Sequence, residues 1–391
     1  TRSDRDWSSD VCSSDLEDWK ETGEKEEMNK PTLTVSSSPH LHAKTDTASI
    51  MWIVSLALAP ATLWGVYVFG LRSALVLAVA IASSLLCEFL LGKVSKESTL
   101  WDGSAFLTGL LVGLNMSPSV PLFIPFLASA FAIFVAKWVF AGLGANWAIP
   151  ALAGRVFVFF SFTTPMSSYV TPKTLASAMP DALASATPLG FAKTAIASGT
   201  LGMDANALLE GASYPATSFA QSISSVTGFS AYSIDSFLGN VAGCIGEVSA
   251  LALLIGGIFL LVSKIITWHI PVTYLLSVGV FSWIFGGIPS ANGAFSGSFF
   301  PSMFSGGLML GALFMATDYV TSPISHKGQI VYGLGCGFFT FLFRYFGSMP
   351  EAVSVSILLM NILTPTIDRY IIPRKFGDTR ELRKKQKEAK V

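Results

Sequence analysis

Apolar residues in this chain come in runs longer and more continuous than the core of a soluble domain needs. Runs near 50–69, 72–91, 120–142, 237–262, 270–287, 328–346 and 351–371 approach or reach the roughly 20 helical residues that cross a hydrocarbon core of about 30 Å. Three shorter or more broken runs lie near 104–115, 149–162 and 303–320. They count as spans because omitting one of them spoils the charge alternation of the connections. The pattern predicts an all-α integral membrane protein of about ten transmembrane helices.

Composition agrees. Hydrophobic residues make up 51% of the chain and charged residues 13%, which excludes an ordinary soluble enzyme and gives no basic surface for nucleic acid. The even total of 25 basic and 25 acidic residues hides an asymmetry. Residues 1–27 carry ten acidic and four basic residues, leaving 21 basic against 15 acidic, a net +6, from Met28 onward. That leader has no apolar stretch of the signal-peptide kind and reads as non-native or disordered, so it stands outside the fold argument. The four cysteines, Cys12, Cys87, Cys244 and Cys336, show no CxxC spacing, and no metal or iron–sulfur site is expected from this chain alone.

With the amino end in the cytoplasm, the connections alternate in charge. The inner side receives Lys30, Lys44, Lys93, Lys96, Lys264, His269, His326, Lys327 and the tail "RKFGDTRELRKKQKEAK"; the outer side receives Arg72, Lys173 and Lys193. The predicted organisation is a leader over 1–27, a cytoplasmic segment over 28–49 and a first five-helix unit over 50–162. An outward-facing loop follows over 163–236, then a second five-helix unit over 237–371 and a basic cytoplasmic tail over 372–391. The tail reads as an orientation signal attracted to lipid headgroups.

The two helical units echo each other. "LTGLLVGLNMSPSVP" at 107–121 and "GGLMLGALFMATDYVTSP" at 306–323 each place glycines four apart, then Asn or Asp, then proline. In the next span Lys137 and Arg344 hold matching places near the end of an apolar run. Units with an odd number of helices must be inverted relative to each other, and short Gly-interrupted segments at matching positions mark a cavity near the midplane. Close helix packing through small residues is the plainer reading of the same glycines.

Charges inside apolar spans cost about 2.5–3.5 kcal/mol each on insertion scales when they face lipid. Glu88, Lys137, Arg155, Glu247, Asp318, Arg344 and Asp368 fall in or at the ends of such spans. Glu88 and Asp368, near helix ends, are expected to snorkel to the interface. Glu247 and Asp318, with Lys137 and Arg344, are the candidates for an ion path or the edge of a polar cofactor.

The outward loop contains "DALASATPLGFAKT", residues 181–194. Pro188 biases Thr187 toward extended backbone, Ala186 and Ser185 are small, and Asp181 lies six residues upstream. No His or Cys base is near in sequence, so the threonine reads as the acceptor of a modification and not as a nucleophile. An Ala-Thr-Pro tripeptide alone commonly means nothing.

"DALASATPL" resembles the pattern Asp, two variable residues, Ser or Thr, Gly or Ser, Ala, Thr, at which a flavin transferase esterifies a threonine with FMN. "LTVSSSPHLHAKT" (33–45), "WDGSAFLTGLLVGLN" (101–115), "FLGNVAGCIGEVSALALLIGG" (237–257), "GGLMLGALFMATDYVTSPIS" (306–325) and "PEAVSVSILLMNILTPTIDRY" (350–370) likewise resemble the D subunits of Rnf ion-translocating oxidoreductases. Their homologues, the B subunits of sodium-pumping NADH:quinone reductases, share the likeness, which runs from Met28 to about Gly377. Ala184 and Ser185 depart from the pattern, where Ser or Thr and then Gly are usual, and His269 stands where Arg is commoner. Pro188 and the compact "SSSPH" favour the Rnf D subunit.

The resemblance implies FMN joined through its phosphate to Thr187, with Asp181, Ser185 and Ala186 in the recognition motif, and a second, non-covalent riboflavin among the helices. It implies a bacterial inner-membrane subunit, not catalytic alone, that relays electrons between ferredoxin and NAD in step with Na+ or H+ movement. Its partners would be the A, B, C, E and G subunits, a flavin transferase and lipid. No GxGxxG fingerprint is present, so nicotinamide chemistry belongs to partners. Two other classes stay open on the residues alone: a non-redox channel or transporter of inverted-repeat architecture, and a flavin-free scaffold.

Overall fold

A computed structural model describes residues 46–95, 99–140, 142, 144–170, 172–173, 187, 190, 216–227, 230–289, 293–297, 299–347 and 352–372. Every regular element among them is helical. In chain order the helices begin with α1 (Thr47–Phe69), α2 (Leu71–Ser95), the short α3 (Ser104–Leu114), α4 (Phe123–Phe131) and α5 (Pro150–Ser161). A π-helical segment, Ala132–Trp138, extends α4. Then come α6 (Thr163–Ser167), α7 (Ser218–Thr227) and α8 (Ala231–Leu238). The series ends with α9 (Ala250–Val262), α10 (His269–Phe285), α11 (Phe299–Phe304), α12 (Leu308–Leu310), α13 (His326–Tyr345) and α14 (Val353–Tyr370). A π-helical segment, Gly311–Met315, extends α12. α1 and α2 are each long and apolar enough to cross a bilayer unaided.

The apolar runs become helices near the predicted positions, with two breaks: the run at 303–320 is divided between α11 and α12 at Gly306 and Gly307, and a longer interruption lies upstream. The run at 237–262 does not form one helix: α8 ends at Leu238 and α9 begins at Ala250, with irregular backbone between. Gly239 closes α8 at φ +105°, a conformation open to glycine, and Ser249 opens α9 by accepting a hydrogen bond from Ala252 N at 3.2 Å. The freed backbone is satisfied by a neighbour. Ile245 N donates to Met116 O at 3.0 Å and Gly246 N to Leu114 O at 2.8 Å, covering the end of α3. A Cβ at Gly246 would stand 2.6 Å from Leu114 Cβ, so the approach needs the glycine.

Glu88 also departs from its predicted place. It is buried, not snorkelling, and Lys137 Nζ donates to its Oε1 at 2.6 Å. Trp138 Nε1 donates to its Oε2 at 3.0 Å and the Thr99 hydroxyl also donates to it. The charge stays inside because its counter-charge, 49 residues away, is inside too. Asp368 is partly exposed and accepts from Ile324 N at 3.2 Å.

Candidate functional site

Two cavities hold the chemistry-bearing side chains. α3 joins them: Ser104 at its start lines one, and Leu114 at its end is covered by the 239–249 segment that forms the wall of the other.

The first cavity, about 30 Å³, is bounded by Thr187, Tyr232, Ser236, Gly243, Glu247 and Ser305. Thr187 is 6% exposed, and Gly190 N donates to its Oγ1 at 3.1 Å. Glu247 pairs with the guanidinium of Arg155 at 3.6 Å. Arg155 also donates to the Ser354 hydroxyl and, at 3.7 Å, to Cys244 Sγ, tying α5 to α14 and to the 239–249 segment. Arg344 holds the opposite wall by donating to Ser302 O at 2.8 Å, Ser305 O at 2.7 Å and Gly306 O at 3.0 Å. Gly306 and Gly307 have φ of +66° and +69°, and a Cβ on Gly307 would lie 2.2 Å from Glu247 Oε1. Beside the cavity, Asp235 on α8 accepts from Thr217 N at 2.8 Å and from Thr217 Oγ1 at 2.5 Å, anchoring the start of α7. Burial pushes the Asp235 carboxyl above its ordinary range, against the pull of the Thr217 bonds.

The second cavity, about 360 Å³, is bounded by Ser104, Thr108, Leu111, Lys137, Asn146 and Asp318. Lys137 sits on the π-helical turn, which carries its ammonium to Glu88 and to Ser104 Oγ at 2.9 Å. Asp318 Oδ2 accepts from Thr321 Oγ1 at 3.1 Å, and among the described residues no basic side chain comes within ion-pairing distance. Asn146 is 8% exposed, and its Oδ1 has no hydrogen-bond partner among them.

The four candidates for an ion path therefore separate. Glu247 and Arg344 stand at the Thr187 cavity, Lys137 and Asp318 at the other. Asp181, Ser185 and Ala186 lie outside the described residues. Sequence reasoning missed Tyr232, Ser236 and Ser305, and it missed the Arg155–Glu247 pair; both charges were visible, but nothing in the spacing joined them. No group of three or more metal-binding side chains occurs among the described residues.

Buried, paired charges and irregular backbone that lines a cavity, set among long apolar helices, define a polytopic membrane protein built around polar interior sites. The chain belongs to the NQR2, RnfD, RnfE family, whose pattern matches residues 34–377. It is 42% identical to the D subunit of the Na(+)-translocating ferredoxin:NAD(+) oxidoreductase complex of Acetobacterium woodii, over 93% of this chain and 100% of that protein. It is 39% identical to the D subunit of the proton-translocating ferredoxin:NAD(+) oxidoreductase complex of Clostridium ljungdahlii, over 90% of this chain and 99% of that protein. The D subunit of the ion-translocating oxidoreductase complex of Stutzerimonas stutzeri is 39% identical, over 84% of this chain and 91% of that protein.

Proposed function

We propose that this chain is the flavin-carrying membrane subunit of an ion-translocating ferredoxin:NAD+ oxidoreductase complex, with FMN esterified to Thr187. The names of its relatives support the complex, its other subunits as partners, and the ferredoxin couple over a quinone couple. The observation that carries the flavin site is the setting of Thr187: its Oγ1 meets a backbone N–H and a cavity whose other walls bring the hydroxyls of Tyr232, Ser236 and Ser305.

These residues fit a phosphoester. A bridging Oγ1 keeps a lone pair for Gly190 N–H, and the Ser236 and Ser305 hydroxyls, which donate to Phe304 O at 3.2 Å and Pro301 O at 2.6 Å, can rotate to donate to phosphate oxygens instead. At about 30 Å³ the cavity has room for two or so water-sized groups, enough for phosphate oxygens and too little for a three-ring isoalloxazine. When bound, FMN supplies one- and two-electron redox chemistry. The protein's own part is positional: Arg344 fixes the 302–306 turn by its carbonyls, and Arg155 offsets Glu247, whose charge would otherwise repel a phosphate. We assign the non-covalent riboflavin to the Asp318 cavity, where apolar walls, Lys137, Asp318 and the unpartnered Asn146 Oδ1 suit a flat, polar-edged ring.

Ten spans in two inverted units, both termini cytoplasmic and the Thr187 loop periplasmic, complete the reading. Like packs on like across the units, α1 on α9 and α5 on α14. Lys137 reaches Ser104 at the start of the short α3, and Arg344 reaches Ser305 and Gly306 just before the short α12, a matching pair of local contacts that supports an internal repeat of either hand.

The test is to express the chain with its flavin transferase, as wild type and as Thr187→Ala, and to weigh the peptide spanning Thr187. An FMN-sized increment confined to wild type is expected. Wild type without it returns the chain to the channel class.

A further inference from the structure

α2, α4 and α5 frame a groove that neither cavity above includes. It holds about 420 Å³ between Leu90 and Leu91 of α2, Leu127, Ala130 and Phe134 of α4 and its π-helical extension, and Phe157 of α5. Every residue around it is apolar. Phe157 stacks flat on Phe131, with ring centroids 4.1 Å apart. Leu90 and Phe134 are 52% and 54% exposed, so the groove opens sideways, toward whatever surrounds the helices.

Its shape follows from the packing of its three helices. Lys137 turns inward to Glu88, and the π-helical turn that carries it leaves Phe134 and Val135 on the groove side. Toward the start of α4 the helices close up. Ser83 Oγ donates to Phe126 O at 2.9 Å, and a Cβ at Gly154 of α5 would lie 2.4 Å from Ala128 O. At the other end α2 runs one more turn past Leu91 to Ser95. Lys93, three residues from Leu90, is exposed there on the neighbouring surface of the helix. Among the described residues it joins no ion pair.

We propose that this groove holds an acyl chain of an anionic phospholipid, with the lipid phosphate on Lys93. An unfilled space of this size would forfeit the dispersion contacts of its lining, so the surrounding hydrocarbon enters it. Its length selects a lipid chain over a partner's helix. Leu127 to Val135 rise about 12 Å, less than half of a core about 30 Å thick, whereas a transmembrane helix needs a track across the whole of it. The apolar walls offer nothing to a polar group, so recognition falls to the rim, where a lysine selects negative charge. Lys93 stands at the end of α2 that the proposed topology places in the cytoplasm, and the cytoplasmic leaflet is the one rich in anionic lipid. The inference is independent of the flavin reading and needs only that α2 and α4 cross a bilayer.

The test uses the full chain, alone and in its complex, in phosphatidylcholine vesicles. A trace of phosphatidylglycerol carries a diazirine midway along one acyl chain, and a phosphatidylcholine probe with the same chains is the comparison. After illumination, peptides holding residues 87–91 and 127–135 should carry the phosphatidylglycerol mass in excess of other lipid-facing peptides. They should carry it about fivefold more than the phosphatidylcholine mass, the preference one lysine gives beside a headgroup. Lys93→Ala should abolish that preference. Lys327→Ala, which removes an exposed lysine at the start of α13, should keep it. Ala130→Leu fills the groove from its own wall and should remove the adduct there, while adducts at the exposed Leu56 and Leu63 of α1 persist and report a folded, inserted chain.

Equal labelling by the two probes, labelling spread evenly over lipid-facing peptides, a preference that survives Lys93→Ala, or an adduct that survives Ala130→Leu would each overturn the proposal. An adduct seen on the chain alone and lost in the complex would do the same, because a partner's helix then covers the groove. Lys93 is exposed and can be changed without touching the packing, so the probe preference decides even where Ala130→Leu fails to insert.

Discussion

The Thr187 and Asp318 cavities use one device with different counter-charges. In each, a basic residue on the long helix after a short helix reaches back to the start of that short helix. At the Asp318 cavity the base is Lys137, matched by the carboxylate of Glu88 in a closed ion pair. At the Thr187 cavity the base is Arg344, and its partners are the carbonyls of Ser302, Ser305 and Gly306. A planar guanidinium can satisfy several carbonyls at once, whereas a lysine acts as a point charge. The first arrangement sets its charge against a carboxylate; the second sets its charge against backbone carbonyls in the wall beside Thr187.

The largest effect should come from Thr187→Ala, which on the proposed reading removes the covalent flavin while α1 to α14 still form; mass spectrometry and circular dichroism on one sample check both halves. Next in size is Lys137→Met, which leaves Glu88 buried without its partner and should cost about 3–5 kcal/mol in detergent unfolding. Adding Glu88→Met should recover most of that loss, and a double variant as unstable as the single would break the contrast between the cavities. Gly307→Ala should cost about 2 kcal/mol, because its positive φ disfavours a side chain and the Cβ would press on Glu247. That variant should lower flavin loading without disturbing the Lys137 pair.

The smallest effect concerns pH at Asp235. Its carboxyl is raised in the folded chain, so its contribution is full below the ordinary carboxylate range and is lost as pH rises through the raised value. Protease protection at the start of α7 should therefore be firmer below the ordinary carboxylate range than at neutral pH, with Asp235→Asn flattening the difference.

Much of the architecture was legible in the apolar runs, since α1, α2, α10, α13 and α14 are each one unbroken stretch. The interruption at 239–249 was not, because "GNVAGCIGEVS" keeps the average apolarity of a span and its glycines read equally well as packing sites. Only the contact with α3 shows that the segment gives its N–H groups to another helix. Glu88 was misplaced for a related reason: proximity to a helix end suggests water, and its partner is 49 residues away. Thr187 was legible through its motif, while Tyr232, Ser236 and Ser305 come together only in space.

The near-complete enclosure of Thr187 sets a chronology. On the proposed reading, a second protein must bring its reaction centre within bonding range of the hydroxyl of a residue that the finished protein leaves 6% exposed. Loading then belongs to biogenesis, while α8 and the 239–249 segment still stand away, and a mature chain that missed its prosthetic group would stay empty unless that region reopened.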